Sequence, residues 1–191
     1  PWVNAYKLSL HLCLALFLYS YLLWASLKHA FPNVEIQTDT ATRKMYRFII
    51  VLLSAQLFLG GIMSGMKAGL LYPTWPKMGD EWLPQLMLNS MNWKLDEFME
   101  YDRQPFVSAL VHIAHRMAAY LLAAMVLWFS WRIRNKNIPV LLKNALPAAI
   151  VLQIVLGIIT VIHCQSSIPV FWGVMHQAGA ILLLTVLLST I

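Results

Sequence analysis

Five long apolar runs, at 6–27, 48–66, 106–131, 140–162 and 170–191, alternate with shorter polar stretches along the 191 residues. Each run is roughly 20 residues or longer, about what a 30 Å hydrocarbon core requires at 1.5 Å rise per residue. In lipid a main chain finds no water, so runs of this kind satisfy their own N–H and C=O groups as helices. The pattern predicts an all-α fold, a polytopic membrane helical bundle with five transmembrane helices in this chain.

The polar stretches give the bundle a direction. Between the first two runs lie Lys28, Arg43, Lys44 and Arg47 against Glu35 and Asp39. Between the third and fourth lie Arg132, Arg134, Lys136 and Lys143 with no acid. The long segment between the second and third mixes Lys67, Lys77, Lys94 and Arg103 with Asp80, Glu81, Asp96, Glu97, Glu100 and Asp102. The last connection, 163–169, has no Asp, Glu, Lys or Arg. Basic loops stay on the cytoplasmic or matrix side, so the first and third connections are expected there and the other two outside. The net charge of +6 is then a topology signal, and the placement of the bases argues against a nucleic-acid partner.

Composition agrees: 60% of residues are apolar and 12% charged, which excludes an ordinary soluble domain. The run 6–27 is too long for a signal peptide and lacks a small-residue cleavage pattern. The chain starts at Pro1 and stops inside an apolar run, and the expectation is a fragment of a longer membrane protein.

Candidate chemistry comes from histidine. His11, His115 and His176 each sit near the start of an apolar run. With the predicted topology those three runs all cross from outside to inside, so the three imidazoles share one depth in the outer half. An imidazole within a membrane span is costly unless it binds something. Two of them on neighbouring helices can clamp an iron, and a helical bundle interior is where facing helices supply such ligands. Haem iron accepts axial imidazole, and two such ligands leave electron transfer as its natural task. His112 lies one turn from His115; His29 and His163 fall at helix ends, where polar residues are ordinary. Cys13 and Cys164 sit on different elements, so a redox disulfide between them is not expected. No run is broken in its middle, which argues against a transporter.

The sequence also repeats internally. Gln56-Leu57-Phe58-Leu59-Gly60-Gly61-Ile62 matches Gln153-Ile154-Val155-Leu156-Gly157-Ile158-Ile159, and each copy precedes a histidine-bearing run. The last four helices thus read as two copies of a plain helix paired with a histidine helix. Their glycines leave room for close approach of a backbone or macrocycle, or, for Gly61-x-x-x-Gly65, for helix packing alone. The outer segment 69–104 is too long for a plain connector. It carries Trp75, Trp82 and Trp93, suited to a membrane interface. Leu95, Phe98 and Met99 at helical spacing, opposite Asp96, Glu97 and Glu100, predict a short interfacial helix, serving either as a lid or as interfacial packing.

Residues 68–79, Ala-Gly-Leu-Leu-Tyr-Pro-Thr-Trp-Pro-Lys-Met-Gly, with His115-Arg116 and His176-Gln177, resemble the haem A synthase family over nearly the whole chain. The resemblance implies eight transmembrane helices in two similar four-helix halves, each half with a histidine pair facing one haem. It implies oxidation of a haem O ring methyl to a formyl group, giving haem A for cytochrome oxidase. On that alignment residues 1–28 are the last helix of the N-terminal, substrate-haem half, and 29–45 are an inner loop. Residues 46–191 are the C-terminal haem B-binding half, with the outer loop 69–104.

The resemblance makes His115 and His176 the axial ligands of haem B and favours His115 over His112. It makes His11 a ligand of the substrate haem O. Arg116 is expected either to pair with a haem propionate, since guanidinium matches carboxylate, or to serve as interfacial charge at a helix entry. The catalytic residues fall in the absent N-terminal helices, and the fragment alone is expected to be inactive. Some relatives carry a cysteine pair in the outer loop; here that loop has none. Implied partners are haem O, haem O synthase, cytochrome oxidase assembly factors, an electron acceptor and the lipid bilayer. The implied location is a bacterial cell membrane or mitochondrial inner membrane, with the haem sites toward the outer face. The competing reading is a di-haem membrane cytochrome acting only in electron transfer.

Overall fold

The computed structural model describes residues 4–32, 39–89, 93–102 and 105–190. Glu35, Arg103, Gln104 and Ile191, used in the sequence reading, lie outside the described residues, as do the side chains of Leu95 and Glu97. The described chain is helical: α1 Ala5–Ala30, α2 Thr40–Gly65, a short α3 Leu95–Met99, α4 Pro105–Ile133, α5 Val140–Ile162 and α6 Val170–Leu188. The expected all-α membrane bundle is thus observed, with five helices long and apolar enough to cross a membrane among the described residues.

Local chemistry sets the ends. The Asn4 side chain accepts from the N–H groups of Tyr6 and Lys7 and starts α1. Asp39 does the same for α2 through the N–H of Thr42, and Pro105 opens α4, where its missing N–H costs nothing. α2 begins eight residues before its apolar run. Arg43, Lys44 and Arg47 are fully compatible with helix and are carried beyond the apolar stretch, so the run marks the lipid-crossing part and the cap marks the helix.

The helices form a closed ring. α2 packs between α1 and α4, α5 between α4 and α6, and α1 touches α6. The α1–α2 contact is close because Gly61 and Gly65 have no side chains: a Cβ there would fall 2.8 Å from the Cα of Ser9 and 2.7 Å from that of Ala5, respectively. For these two glycines the helix-packing alternative is the observed one. The Ser9 hydroxyl donates to the Phe58 carbonyl at 2.6 Å across the same seam, and the hydroxyls of Tyr19 and Thr185 share a 2.7 Å bond between α1 and α6.

The larger apolar core fills one end. Ile49 and Leu53 of α2, Val126, Phe129 and Ile133 of α4, Leu146 and Ile150 of α5, and Leu183 and Leu187 of α6 are packed together and buried. That end is closed by the α2 cap, where Asp39 meets Arg132 at 3.1 Å and Lys136 at 3.4 Å, while Arg132 Nε donates to the Thr42 hydroxyl at 2.8 Å. At the opposite end, beside the N-termini of α1, α4 and α6, a smaller apolar cluster of Ala5, Ile62, Phe106, Val107 and Val111 adjoins an interior that carries histidine, glutamine and glycine.

Candidate haem site

His115 stands on α4 about three turns from the helix start, and His176 on α6 about two turns from its start. The ring carries both to the bundle interior. Their imidazole centroids are 6.5 Å apart with the ring planes at 78°. Nδ1 of each ring is fully buried without a hydrogen bond. Both imidazoles reach the interior because a glycine faces each. A Cβ on Gly60 would fall 3.2 Å from Cε1 of His115, and one on Gly157 would fall 2.9 Å from Cε1 of His176. Gly60 and Gly157 occupy equivalent positions in the internal repeat, so the repeat builds one imidazole seat twice. Adjacent glycines therefore divide the work: Gly61 admits the α1 backbone and Gly60 admits a ring.

The spacing suits a shared ion. Imidazole nitrogen binds a first-row metal at about 2 Å with the ring centre roughly 1 Å beyond, so two opposed ligands put their centroids about 6 Å apart. The interplanar angle does not oppose this, because each ring can rotate about its own metal–nitrogen axis. Among the described residues no group of three or more His, Cys, Asp and Glu forms a metal cluster. Two imidazoles alone suit a metal whose remaining positions are filled by a macrocycle, and the residues present fit an axially ligated haem.

Arg116 faces away from this pair toward the outer loop. The expectation of a carboxylate partner meets a guanidinium already engaged. Its Nε donates to Nε2 of His112 at 3.0 Å, and Nη1 donates to the carbonyls of Pro76 and Lys77, both at 3.2 Å. Nη2 donates to the carbonyls of Thr74 at 2.5 Å and Tyr72 at 3.5 Å. Arg116 is 8% exposed and His112 0%, so the guanidinium charge is balanced by main-chain dipoles and one imidazole acceptor. His112 thus has a partner of its own and is not part of the facing pair.

The clamped loop is further closed by the Thr74 hydroxyl, which donates to Lys77 and accepts from the Gly79 N–H. Gly79 has φ +68°, a conformation glycine adopts at little cost. The indole of Trp75 donates to the Tyr120 hydroxyl at 3.2 Å. The short helix expected in this segment is α3. It sits over the bundle end, with Phe98 edge-on to Phe106 of α4 and its main chain accepting from the Tyr6 hydroxyl of α1 at 2.7 Å. Trp75, Trp82 and Trp93 are exposed, consistent with an interfacial setting.

His11 is exposed on α1, apart from the facing pair. His163 closes α5 by donating from Nδ1 to the Ile159 carbonyl at 2.7 Å. Both cysteines are free, and burial pushes the Cys164 thiol up from its ordinary value, away from the reactive thiolate. Gln56 and Gln153 were not singled out by sequence reasoning as site residues, although they head the two repeats. Each has its side-chain oxygen buried at the pair without a partner, and the amide nitrogen of Gln56 lies 3.2 Å from Nε2 of His115.

Comparison with known proteins gives this site a context. Residues 1–188 match the family model described as cytochrome oxidase assembly protein. The chain is 29% identical to the heme A synthase of Flavobacterium psychrophilum over 96% of this chain and 52% of that protein. It is 32% identical to the heme A synthase of Paracoccus denitrificans over 97% of this chain and 48% of that protein. It is 30% identical to heme A synthase COX15 of Saccharomyces cerevisiae over 97% of this chain and 42% of that protein. The chain therefore spans about half the length of the curated relatives it matches, and no solved structure matches it. With 188 of 191 residues covered by the family model, this multi-pass membrane chain belongs to the cytochrome oxidase assembly protein family that matches it.

Proposed function

We propose that this chain is the haem B-binding half of a haem A synthase, whose substrate is haem O and whose product serves cytochrome oxidase assembly. The observation that carries the reading is the His115–His176 pair, 6.5 Å between centroids, each ring seated on a glycine. The names of the relatives, heme A synthase in bacteria and yeast, support the reaction class.

In this reading His115 and His176 would hold haem B between them. When bound, haem B would supply one-electron transfer. The protein's own contribution is rigidity. Gly60 and Gly157 fix how deeply each imidazole sits, and the packed core beneath resists any change in helix spacing. The clamp from Arg116 and His112 holds residues 72–77 against α4, and α3 caps the same end, so water access is limited where the rings lie. Arg116 thereby acts on the loop rather than as a carboxylate partner.

His11 on α1 is assigned to the substrate haem, with α1 closing the N-terminal half of the whole protein. Residues 29–45 join the halves on the inner side, and 46–191 form the haem B half. The basic connections at 28–47 and 132–143 place this inner side in the bacterial cytoplasm or mitochondrial matrix. The catalytic groups belong to the half outside this chain.

The test is pigment analysis of the full-length protein expressed with a haem O synthase. Extracts are expected to contain haem B, haem O and haem A, and single replacement of His115 or His176 should remove the haem B. Haem B alone, at two per protein and with no haem A, would contradict the synthase and favour a di-haem cytochrome.

A further inference from the structure

The two copies of the internal repeat differ at one bond. In the first, the Gln56 amide nitrogen donates to Nε2 of His115 at 3.2 Å. In the second, the Gln153 side chain is turned into a recess on α6, its buried Oε1 against Gly179, where a Cβ would collide with it. Gly179 lies three residues after His176, and the position three residues after His115 is Ala118. Alanine at this position carries the methyl that Gly179 lacks, and on that side Gln56 lies on the imidazole.

A donor on Nε2 fixes the tautomer of His115. With Nε2 accepting from the amide N–H, the ring proton of the neutral imidazole sits on Nδ1, which makes no hydrogen bond of its own. In that tautomer Nε2 carries the lone pair a metal would take. His176 carries no such amide bond among the described residues, and its Nε2 is not masked in this way.

Resting on the reading that this pair holds haem B, we propose that Gln56 is a placeholder on His115 that makes loading of the site sequential. His176 engages the iron first. His115 engages second, when the Gln56 N–H···Nε2 bond breaks and the Nε2 lone pair passes to the iron. No proton moves in that step, because the ring proton is already on Nδ1. Gln56 is thus a positioning residue: it keeps the ligand-ready tautomer and delays closure without itself touching the iron.

The experiment uses the full-length protein prepared from a haem-deficient host, in lipid nanodiscs, mixed with haem B in a stopped-flow spectrometer. Two phases are expected in the unsubstituted protein, a high-spin species followed by the low-spin one. Q56L removes the amide, and A118G keeps it but opens the recess that Gln153 enjoys in the other copy. Both should speed the second phase roughly two- to tenfold, the worth of one such hydrogen bond, with the same final low-spin spectrum. Q153L should leave the second phase unchanged. A merely structural role for Gln56 would slow or weaken binding instead. Unchanged second phases in both Q56L and A118G, or equal acceleration in Q153L, would overturn the placeholder while leaving the haem B site standing. Absence of any low-spin species in the unsubstituted protein would overturn the bis-imidazole reading and this inference with it.

Discussion

Gly157 lies directly against the imidazole of His176, so close that a methyl group there would sit 2.9 Å from Cε1. Within a helix, Gly→Ala ordinarily stabilises by about 1 kcal/mol. Contact decides the sign at each position. G157A is expected to displace the His176 ring and weaken low-spin haem binding, and G60A, at 3.2 Å, to do so less. G173A, with nothing within 4 Å, should raise thermal stability slightly and leave the spectrum alone. Absorption spectra and melting curves of the three variants check this ordering.

The Arg116 clamp predicts a loop phenotype. Lysine offers three donors in place of a planar fork of five, and the carbonyls of Tyr72, Thr74, Pro76 and Lys77 cannot all be reached by one ammonium. R116K should therefore expose the 72–79 loop to limited proteolysis from the outer side and lower the melting temperature by several degrees. If the Arg116 guanidinium instead served a haem carboxylate alone, R116K would change haem affinity while loop protection stayed intact.

Asp39 predicts a pH dependence at the other end of the bundle. The N–H and hydroxyl of Thr42, then Arg132 and Lys136, hold its carboxyl well below the usual carboxylate range. A carboxyl lowered in the folded state contributes stability above its unfolded value, about 3.9, and loses it as pH falls toward the folded value. D39N retains a capping side chain and removes the charge. The stability gap between the two proteins should be constant near neutrality, shrink below about pH 4 and narrow with added salt. Parallel acid curves would show that the ion pairs at this cap contribute nothing.

Sidedness follows from the loop charges. After Cys13 and Cys164 are replaced, a cysteine at Asp80 should react with an impermeant reagent added outside, and one at Asn135 should not. Asp80 is chosen over Gly79 because the positive φ of Gly79 would strain any side chain. The reverse labelling pattern would invert the proposed topology and put the His pair on the inner side.

The spans were legible because a lipid-crossing helix needs a long apolar run, and all five runs became helices. Their ends were less so, as α2 shows: its first two turns are polar, and only the Asp39 cap marks where the helix starts. His115 and His176 were legible through their shared depth, but what seats them was not. The repeat signalled Gly60 and Gly157, yet hydropathy treats Gly60 and Gly61 alike, although one faces a ring and the other a backbone. Most partners of Arg116 left no trace, since they are main-chain carbonyls, which every sequence supplies; only His112, one turn before it, was visible as a side chain. The contrast between Gln56 and Gln153 turns on Ala118 against Gly179, a methyl group whose meaning appears only when α2 and α5 are placed beside α4 and α6.

If His115 and His176 together hold one haem B, removing either imidazole changes the spin state of its iron. The most direct measurement is the low-temperature electron paramagnetic resonance spectrum of the full-length oxidised protein, compared among H115A, H176A and H112Q. The low-spin signal of the C-terminal haem is expected to disappear in H115A and in H176A, because one imidazole cannot replace two, and to persist in H112Q. A low-spin signal unchanged in H115A, or lost only in H112Q, would contradict it.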